Sequence, residues 1–255
     1  MPPFIKRDTE LHIAFEAAGL RDLADQGAPV AELLWVKETS LATAHITSAR
    51  PSAEHARQFG RDLAALHRHG SDRVFGQAPP TYDLATYKVG AMGGERMPLV
   101  AAGAPARPWG EFYAEDRLLP YLEPSLDHGA FGVEGARVIE ALAERLRDGV
   151  FDTDDEPSIL HGDLWSGNVM WSPDGAILID PQCHTGHRES DLAQLTVFGI
   201  PYHEEILAGY REVFPLSPGW RQRDPLHQLH MLIVHCALFG AGYGPQTIRI
   251  ARSYL

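Results

Sequence analysis

Apolar and polar positions along this chain fall into short blocks whose period changes several times. Phe4 and Ile5 before Lys6 read as the end of a short strand. Leu11, Phe15, Ala18 and Leu20 then recur at roughly helical spacing behind Asp8 or Thr9, either of which can cap a helix that Gly27 and Pro29 end. Apolar runs at 30–36 and 41–46 suit strands, and Pro51-Ser52 opens a second helix with Phe59, Leu63 and Leu66 on one face. Residues 70–108 hold many Gly and Pro without a clear period and read as a long loop. Helices resume over 109–122 and 134–146. Short strands follow at 159–161, 169–171 and 177–179, the last two separated by the turn residues Pro173-Asp174-Gly175. From Glu189 the pattern is helical, interrupted at Pro201, Pro215 and Pro245, with no internal repeat.

Composition narrows the class. With 255 residues, 44% apolar and 22% charged, the chain is globular, of one large or two small domains. Such a length buries roughly 70–75% of the unfolded surface without covalent staples. The 22 Lys and Arg against 34 Asp and Glu leave a formal charge of −12, which speaks against a nucleic-acid backbone as principal partner. Cys183 and Cys236 make neither a disulfide framework nor a metal-ligand spacing, so a reducing, cytoplasmic setting fits. The start MPPFIKRDTE has no secretory pattern. The longest stretch without Asp, Glu, Lys or Arg, 226–248, carries His227, Gln228, His230, His235 and Pro245. It is too polar to span a bilayer and reads as a buried helix followed by a turn.

The segment most suggestive of chemistry is ILHGDLWSGNVMWSPDGAILIDP, residues 159–181. Asp163 follows a short strand, Asn168 lies five residues on, and Asp180 ends the second strand of a hairpin, an order that puts three oxygen donors around one pocket. Phosphoryl transfer needs such groups: a carboxylate to orient the attacking hydroxyl and hard oxygens to hold Mg²⁺ on the phosphates. Chance produces the four residues His, Gly, Asp and Asn at these offsets in roughly one chain of this length in a thousand, counting ~20 equally frequent residues. The plainer alternative is an Asp and an Asn serving turns, with Asp180 as a cap.

HGDLWSGN, then IDP, then GHRESDLA resemble the fructosamine/ketosamine-3-kinase family, whose protein-kinase-like fold is related to aminoglycoside and choline kinases. WGEFYAEDRLLPYL at 109–122, AAGLRDLA at 17–24 and the final segment 226–255 extend the resemblance over nearly the whole chain. The pattern HGDxxxxN marks the broad superfamily, whereas the Trp165-Ser166-Gly167 filling and His187-Arg188-Glu189 point to the ketosamine kinases. The resemblance implies an α+β, two-lobed fold. A truncated N-terminal nucleotide-binding lobe would span residues 1–47, and a mostly helical catalytic and substrate lobe residues 48–255. It implies Asp163 as the carboxylate that orients the sugar hydroxyl, Asn168 and Asp180 as Mg²⁺ ligands, Lys6 on the ATP phosphates and Glu16 as the helix partner positioning Lys6. Trp165 and Trp220 become candidates for contacting substrate, with packing as the alternative for each. Family members carry a glycine-rich loop before the strand lysine; the sequence begins five residues before Lys6 and holds no such loop. In the hinge segment, Ala44 and His45 replace the family's apolar and acidic pattern, leaving backbone groups to meet adenine.

The implied activity is ATP-dependent 3-phosphorylation of a ketosamine, a ribulosamine or fructosamine on a free or protein-bound amine, as a deglycation repair step. Another small-molecule kinase of the superfamily is the first rival, and a catalytically silent, shortened relative the second. Among the remaining residues, His161 shapes the loop before Asp163, and His187, Arg188, Glu189 and Asp191 lock the segment after Asp180. His184 and His187 lack a third ligand at suitable spacing and read as structural, as do His227, His230 and His235 and the aromatic set Trp109, Phe112 and Tyr113.

Overall fold

The computed structural model describes all 255 residues. Strand β1 (Phe4–Arg7) leads into helix α1 (Glu10–Asp25), and β2 (Leu33–Lys37) and β3 (Ser40–Thr43) complete an antiparallel sheet in the order β1-β3-β2. Of the two possible caps on α1, Thr9 serves: its side chain accepts from the His12 N–H at 3.3 Å. β3 stops at Thr43 instead of running to residue 46. Beyond it the backbone N–H groups of His45 and Ile46 have no backbone partner. Helix α1 lies between the sheet and the rest of the molecule. Ile13 and Ala17 meet Leu41 of the sheet, Phe15 and Ala18 enter one large core, and Leu23 enters another.

Helix α2 (Ala53–His67), capped by Ser52, crosses α8 (His203–Val213) at unusually short range. The reason is a glycine on each side: a methyl group at Gly60 would overlap the Ile206 carbonyl, and one at Gly209 the Arg57 carbonyl. The segment 70–108 is not simply a loop. It contains one turn of helix, α3 (Leu84–Tyr87), and a small hairpin of β4 (Gly90–Met92) and β5 (Glu95–Met97). Three-residue strands are too short to print a period on the sequence. The hairpin tip touches both halves of the molecule. His12 Nε2 lies 2.8 Å from the Gly93 carbonyl, and Leu238 packs against the same turn.

The helix expected over 109–122 changes form on its way. Helix α4 (Trp109–Phe112) widens into a π turn over Tyr113–Leu118, tightens to 3₁₀ geometry over Leu119–Tyr121, and continues as α5 (Leu122–Asp127). Pro120 has no N–H to bond the carbonyl of Asp116 four residues earlier, so the regular ladder fails there. The buried Arg117 supplies the missing donor, its Nη1 reaching the Asp116 and Pro98 carbonyls at 2.9 Å each. Helix α6 (Val133–Arg147) follows, within a residue of expectation at each end.

Strand β6 (Ser158–Leu160) pairs with β9 (His184–Gly186), a strand the sequence pattern did not signal, and β7 (Val169–Ser172) pairs with β8 (Gly175–Leu178) across the expected turn. The entry to β2 docks on β8: the Ala31 N–H donates to the Leu178 carbonyl at 2.9 Å, and the Leu178 N–H to that of Pro29 at 2.7 Å. Helices α7 (Arg188–Val197), α8, α9 (Trp220–Phe239) and α10 (Gly244–Arg252) close the fold. Pro225 lies inside α9, near its start, while Pro201 and Pro215 flank α8 and Pro245 sits in the first turn of α10. No helix is long and apolar enough to cross a membrane.

The α2–α8 crossing is directly testable. Gly209→Ala forces the two backbones apart and should cost about 3 kcal/mol, lowering the melting temperature by roughly 6–12 °C. Differential scanning calorimetry reads this, and an unchanged melting temperature would refute the close approach.

Candidate active site

The loop from His161 to Asn168 is held from beneath by one buried carboxylate. Asp191, near the start of α7, accepts the His161 N–H at 2.7 Å and the Gly162 N–H at 3.0 Å. Its Oδ2 also lies 3.2 Å from His67 Nε2, and the Tyr210 hydroxyl is 2.9 Å from His67 Nδ1. Burial opposes ionisation of Asp191, yet His67 and the loop amides hold it below the ordinary carboxylate range. Three residues further along α7, Gln194 accepts from the Leu164 N–H at 2.6 Å and donates to the Gly162 carbonyl at 3.2 Å. Gly162 has φ +86° and faces the Gln182 carbonyl, a position closed to any side chain.

His161 works as a tie. Its Nδ1 accepts from the Asp163 N–H at 3.3 Å, so Nε2 carries the proton and donates to the Ile179 carbonyl at 2.9 Å. Burial pushes its pKa down, which keeps this neutral tautomer. The ring thereby joins the loop to the residue before Asp180. Asn168 donates from Nδ2 to the Asp163 carbonyl at 2.8 Å and to its carboxylate Oδ2 at 2.9 Å, leaving the amide oxygen unused. Burial raises the Asp163 carboxyl to about 7, against the Asn168 hydrogen bond and with a contribution from Asp180 and Asp191.

Lys6 reaches the same place from the sheet. Its Nζ lies 2.7 Å from Glu16 Oε2 and 3.2 Å from Asp180 Oδ2. Burial disfavours the ammonium, but the two carboxylates outweigh it and raise its pKa. Asp180 adopts φ +53°, a left-handed backbone that non-glycine residues enter rarely and that turns its carboxylate toward Lys6. Helix α1 is fastened at this depth by two further residues of the same face. A Cβ on Gly19 would stand 2.9 Å from Cys183 Cβ, so only glycine allows this approach. Asp22 receives both ends of the Arg73 guanidinium at 2.6 and 2.9 Å. Beside the charged group opens a cleft of about 360 Å³, lined by Phe4, Leu41, Ala44, His45, Ile46, Met170 and Ile179 and closed at one end by Glu16 and Asp180.

Glu16 and Asp180 line the cleft and Lys6 bridges them, while Asp163, held by Asn168, lies near enough for its carboxyl to feel the charges of Asp180 and Lys6. Trp165 stands beside them in the loop, partly exposed, its indole laid over Gly167, where a side chain would collide with the ring. Trp220 is elsewhere. It opens α9, packs with the second core beside Phe214 and Leu216, and carries Arg221 over its ring at 4.5 Å. His235, whose aromatic neighbour Phe198 touches Trp165, lies fifteen residues further along α9, about 22 Å at the helical rise. No ring contact joins Trp220 to Trp165, and contact of Trp220 with substrate stays an expectation of the sequence.

The histidines sort as structural. His184 is in β9 with Nδ1 on the Gln182 carbonyl at 2.9 Å, and His187 caps α7 by accepting the Glu189 N–H at 3.2 Å. His187, Glu189 and His227 converge as three potential metal ligands, but Arg223 already occupies both Glu189 oxygens at 2.6 and 2.9 Å. Arg188 pairs with Asp155 at 2.7 Å and stacks over Phe214 at 3.8 Å. The segment after Asp180 is thus locked as its sequence suggested. Sequence reasoning missed His67, Tyr210, Gln194, Gly19 and the Asp22–Arg73 pair. Gln194 left a signal in its i,i+3 spacing from Asp191, and Gly19 and Asp22 in their three-residue steps from Glu16, which place each set on one helix face.

A lysine–glutamate pair above a loop of the form HGDxxxxN, beneath a small sheet, defines a protein-kinase-like phosphotransferase fold. An aminoglycoside phosphotransferase solved with gentamicin superposes with a TM-score of 0.60 over 98% of this chain and 86% of its own, at 12% identity. An amicoumacin kinase solved with AMP-PNP and Ca²⁺ does so at 0.58 and 13% identity, covering 98% and 80%. Both likenesses concern the fold alone. A family profile described as Fructosamine kinase matches residues 14–255, and the chain belongs to that family. A crystal structure of a candidate fructosamine-3-kinase from Thermobifida fusca is 39% identical, with a TM-score of 0.87 over 99% of this chain and 85% of that one. A curated relative from Vibrio parahaemolyticus, named "probable ketoamine kinase", is 34% identical over 76% of this chain and 61% of its own length. One of the same name from Thermus thermophilus is 33% identical over 89% and 77%. The chain spans between about half and two thirds of the length of the first curated relatives it matches.

Two outcomes follow for stability. Asp191→Ala strands His67 and two loop amides in the interior and should cost about 3 kcal/mol, or roughly 6–12 °C in melting temperature. Because the Asp163 pKa is raised in the folded state, the native protein binds more protons than the unfolded chain between about pH 4 and 7. Its stability from this group therefore falls as pH rises through that window. With EDTA present, Asp163→Asn should melt above the parent at pH 8 and lose that advantage at pH 4. Parallel thermal scans decide it.

Proposed function

We propose that the protein is an ATP-dependent ketosamine kinase that phosphorylates the 3-hydroxyl of a ribulosamine or fructosamine. Residues 1–47 would serve as its nucleotide lobe and 48–255 as its catalytic and substrate lobe. The observation that carries this reading is the Lys6 bridge between Glu16 and Asp180, the two carboxylates that line an apolar cleft, within electrostatic reach of an Asp163 held by Asn168. Family membership and the ketoamine-kinase name of its relatives support the sugar-amine class of substrate.

Leu41, Ile46, Met170 and Ile179 line the cleft and would hold adenine by apolar contact, with the free backbone N–H groups of His45 and Ile46 as hydrogen-bond donors. These groups are backbone atoms, so the unusual Ala44-His45 sequence does not remove them. Lys6, held by Glu16, offers a fixed positive charge to the nucleotide phosphates. The unused amide oxygen of Asn168 and the carboxylate of Asp180 are hard donors suited to Mg²⁺. When bound, Mg²⁺ would neutralise phosphate charge. Asp163 orients the sugar 3-hydroxyl and takes its proton while the hydroxyl oxygen bonds to the γ-phosphorus and ADP departs. Trp165 presents an aromatic face to the sugar. The role of the reaction would be deglycation, since the 3-phosphorylated adduct is unstable. The two buried, free thiols suit a reducing cytoplasm.

The test is Mg·ATP consumption with and without a ribulosamine such as ribuloselysine, set beside aminoglycosides and choline. Ribulosamine-dependent turnover that falls at least about 10³-fold in Asp163→Asn is expected. Preference for an aminoglycoside or choline would replace the substrate assignment, and no turnover by the folded chain with any of them would sink the claim of an active kinase.

A further inference from the structure

Trp165 is the first of a run of aromatic rings that leads away from the catalytic loop. Phe198, at the end of α7, meets its indole edge-on at 5.7 Å between centroids. His235 of α9 lies 5.4 Å from Phe198, and Phe239 and Tyr243 lie 5.5 and 4.8 Å from His235. Four separate segments of chain converge to build this wall: the catalytic loop, the ends of α7 and α9, and the turn before α10. It is open to solvent, with Trp165 37%, Phe198 45% and Phe239 65% exposed, on a protein that carries a formal charge of −12. Single exposed apolar residues need no explanation, but a contiguous aromatic strip continuous with an active-site residue does.

The chemistry of the strip is neutral throughout. Burial pushes the His235 pKa down, and its Nδ1–H donates to the Met231 carbonyl at 2.8 Å, so the ring is a fixed, uncharged link between Phe198 and Tyr243. A ketosamine has two ends: the sugar, which must lie at Asp163, and the substituent on its amine. With the sugar against Trp165, that substituent projects along the remaining rings. The amine itself is cationic at neutral pH, and aromatic faces attract cations. Beyond it the wall offers only ring faces and edges, which reward apolar or aromatic groups.

We propose that Phe198, His235, Phe239 and Tyr243 form a subsite for the amine-side substituent of the substrate, selecting ketosamines of aromatic or bulky apolar amines over those of small ones. The subsite rests on the ketosamine-kinase reading above. An aromatic contact with burial of one ring amounts to about tenfold in affinity.

The experiment compares N-benzyl-ribulosamine with N-methyl-ribulosamine. In the parent protein kcat/KM should favour the benzyl compound at least about tenfold. Phe239→Ala and Tyr243→Ala should each bring the ratio near unity through KM, with kcat for the benzyl substrate retained. A parent ratio near one, or a ratio that survives both substitutions, overturns the proposal. So does sedimentation showing that Phe239→Ala dissociates an oligomer while the ratio holds, which would give the wall to a second copy of the chain. If neither compound is phosphorylated, the kinase reading fails by itself and calorimetric binding of the two compounds decides the subsite. Tighter benzyl binding that Phe239→Ala abolishes upholds it, and equal binding rejects it.

Discussion

Asp191 carries more of this structure than any other side chain. A carboxylate withdrawn from water is tolerated only when its oxygens are saturated by donors, because the lost hydration is otherwise worth several kcal/mol. Here the donors are the amides of His161 and Gly162 together with His67, so the price of burying the charge is met by the very loop that must be immobile. Everything downstream inherits that rigidity. His161 joins the loop to Ile179, Gln194 holds Leu164 and Gly162, and Asn168 closes on Asp163. On the kinase reading proposed above, phosphoryl transfer asks little covalent chemistry of the protein, so the placement of these groups is the greater part of what it would contribute.

The second constraint is the seat of α1. Glu16, Gly19 and Asp22 follow one another at three-residue intervals, so they share a face, and each solves a different problem on it. Glu16 holds Lys6, Gly19 lets Pro181 and Cys183 come close, and Asp22 captures Arg73. The helix also sends apolar side chains into the sheet-side cluster and both larger cores. The Lys6–Glu16 pair therefore stands in a set relation to Asp180.

The irregular stretch after Trp109 follows a similar logic of satisfied groups. Pro120 breaks a helical ladder, and Arg117, buried and without a carboxylate in contact, bonds the carbonyl that the proline abandons. The same region presents Trp109, Phe112 and Tyr113 to the large core, so the aromatic set that follows Pro108 is packing, whereas Trp165, Phe198 and Phe239 are exposed and belong to the strip that begins at Trp165.

The local code of this chain was largely legible. Strand, cap and helix signals marked β1, α1, α2, α6 and the β7–β8 hairpin, because each rests on near neighbours: a hydroxyl beside an N–H, a glycine where φ must be positive, a repeat of three or four residues. The motif residues Asp163, Asn168 and Asp180 were equally readable, since their spacing is a property of one short segment. What lay beyond reach was whatever depends on partners far apart in sequence. The pairing of β9 with β6, the grip of His67 and Asp191 and the clasp of Asp22 by Arg73 are decided by packing, which brings together residues more than twenty positions apart. The sequence by itself determined the chemical groups and their local backbone. Only the tertiary structure decided which of them share a cleft, because burial and charge pairing act through space and leave no period along the chain.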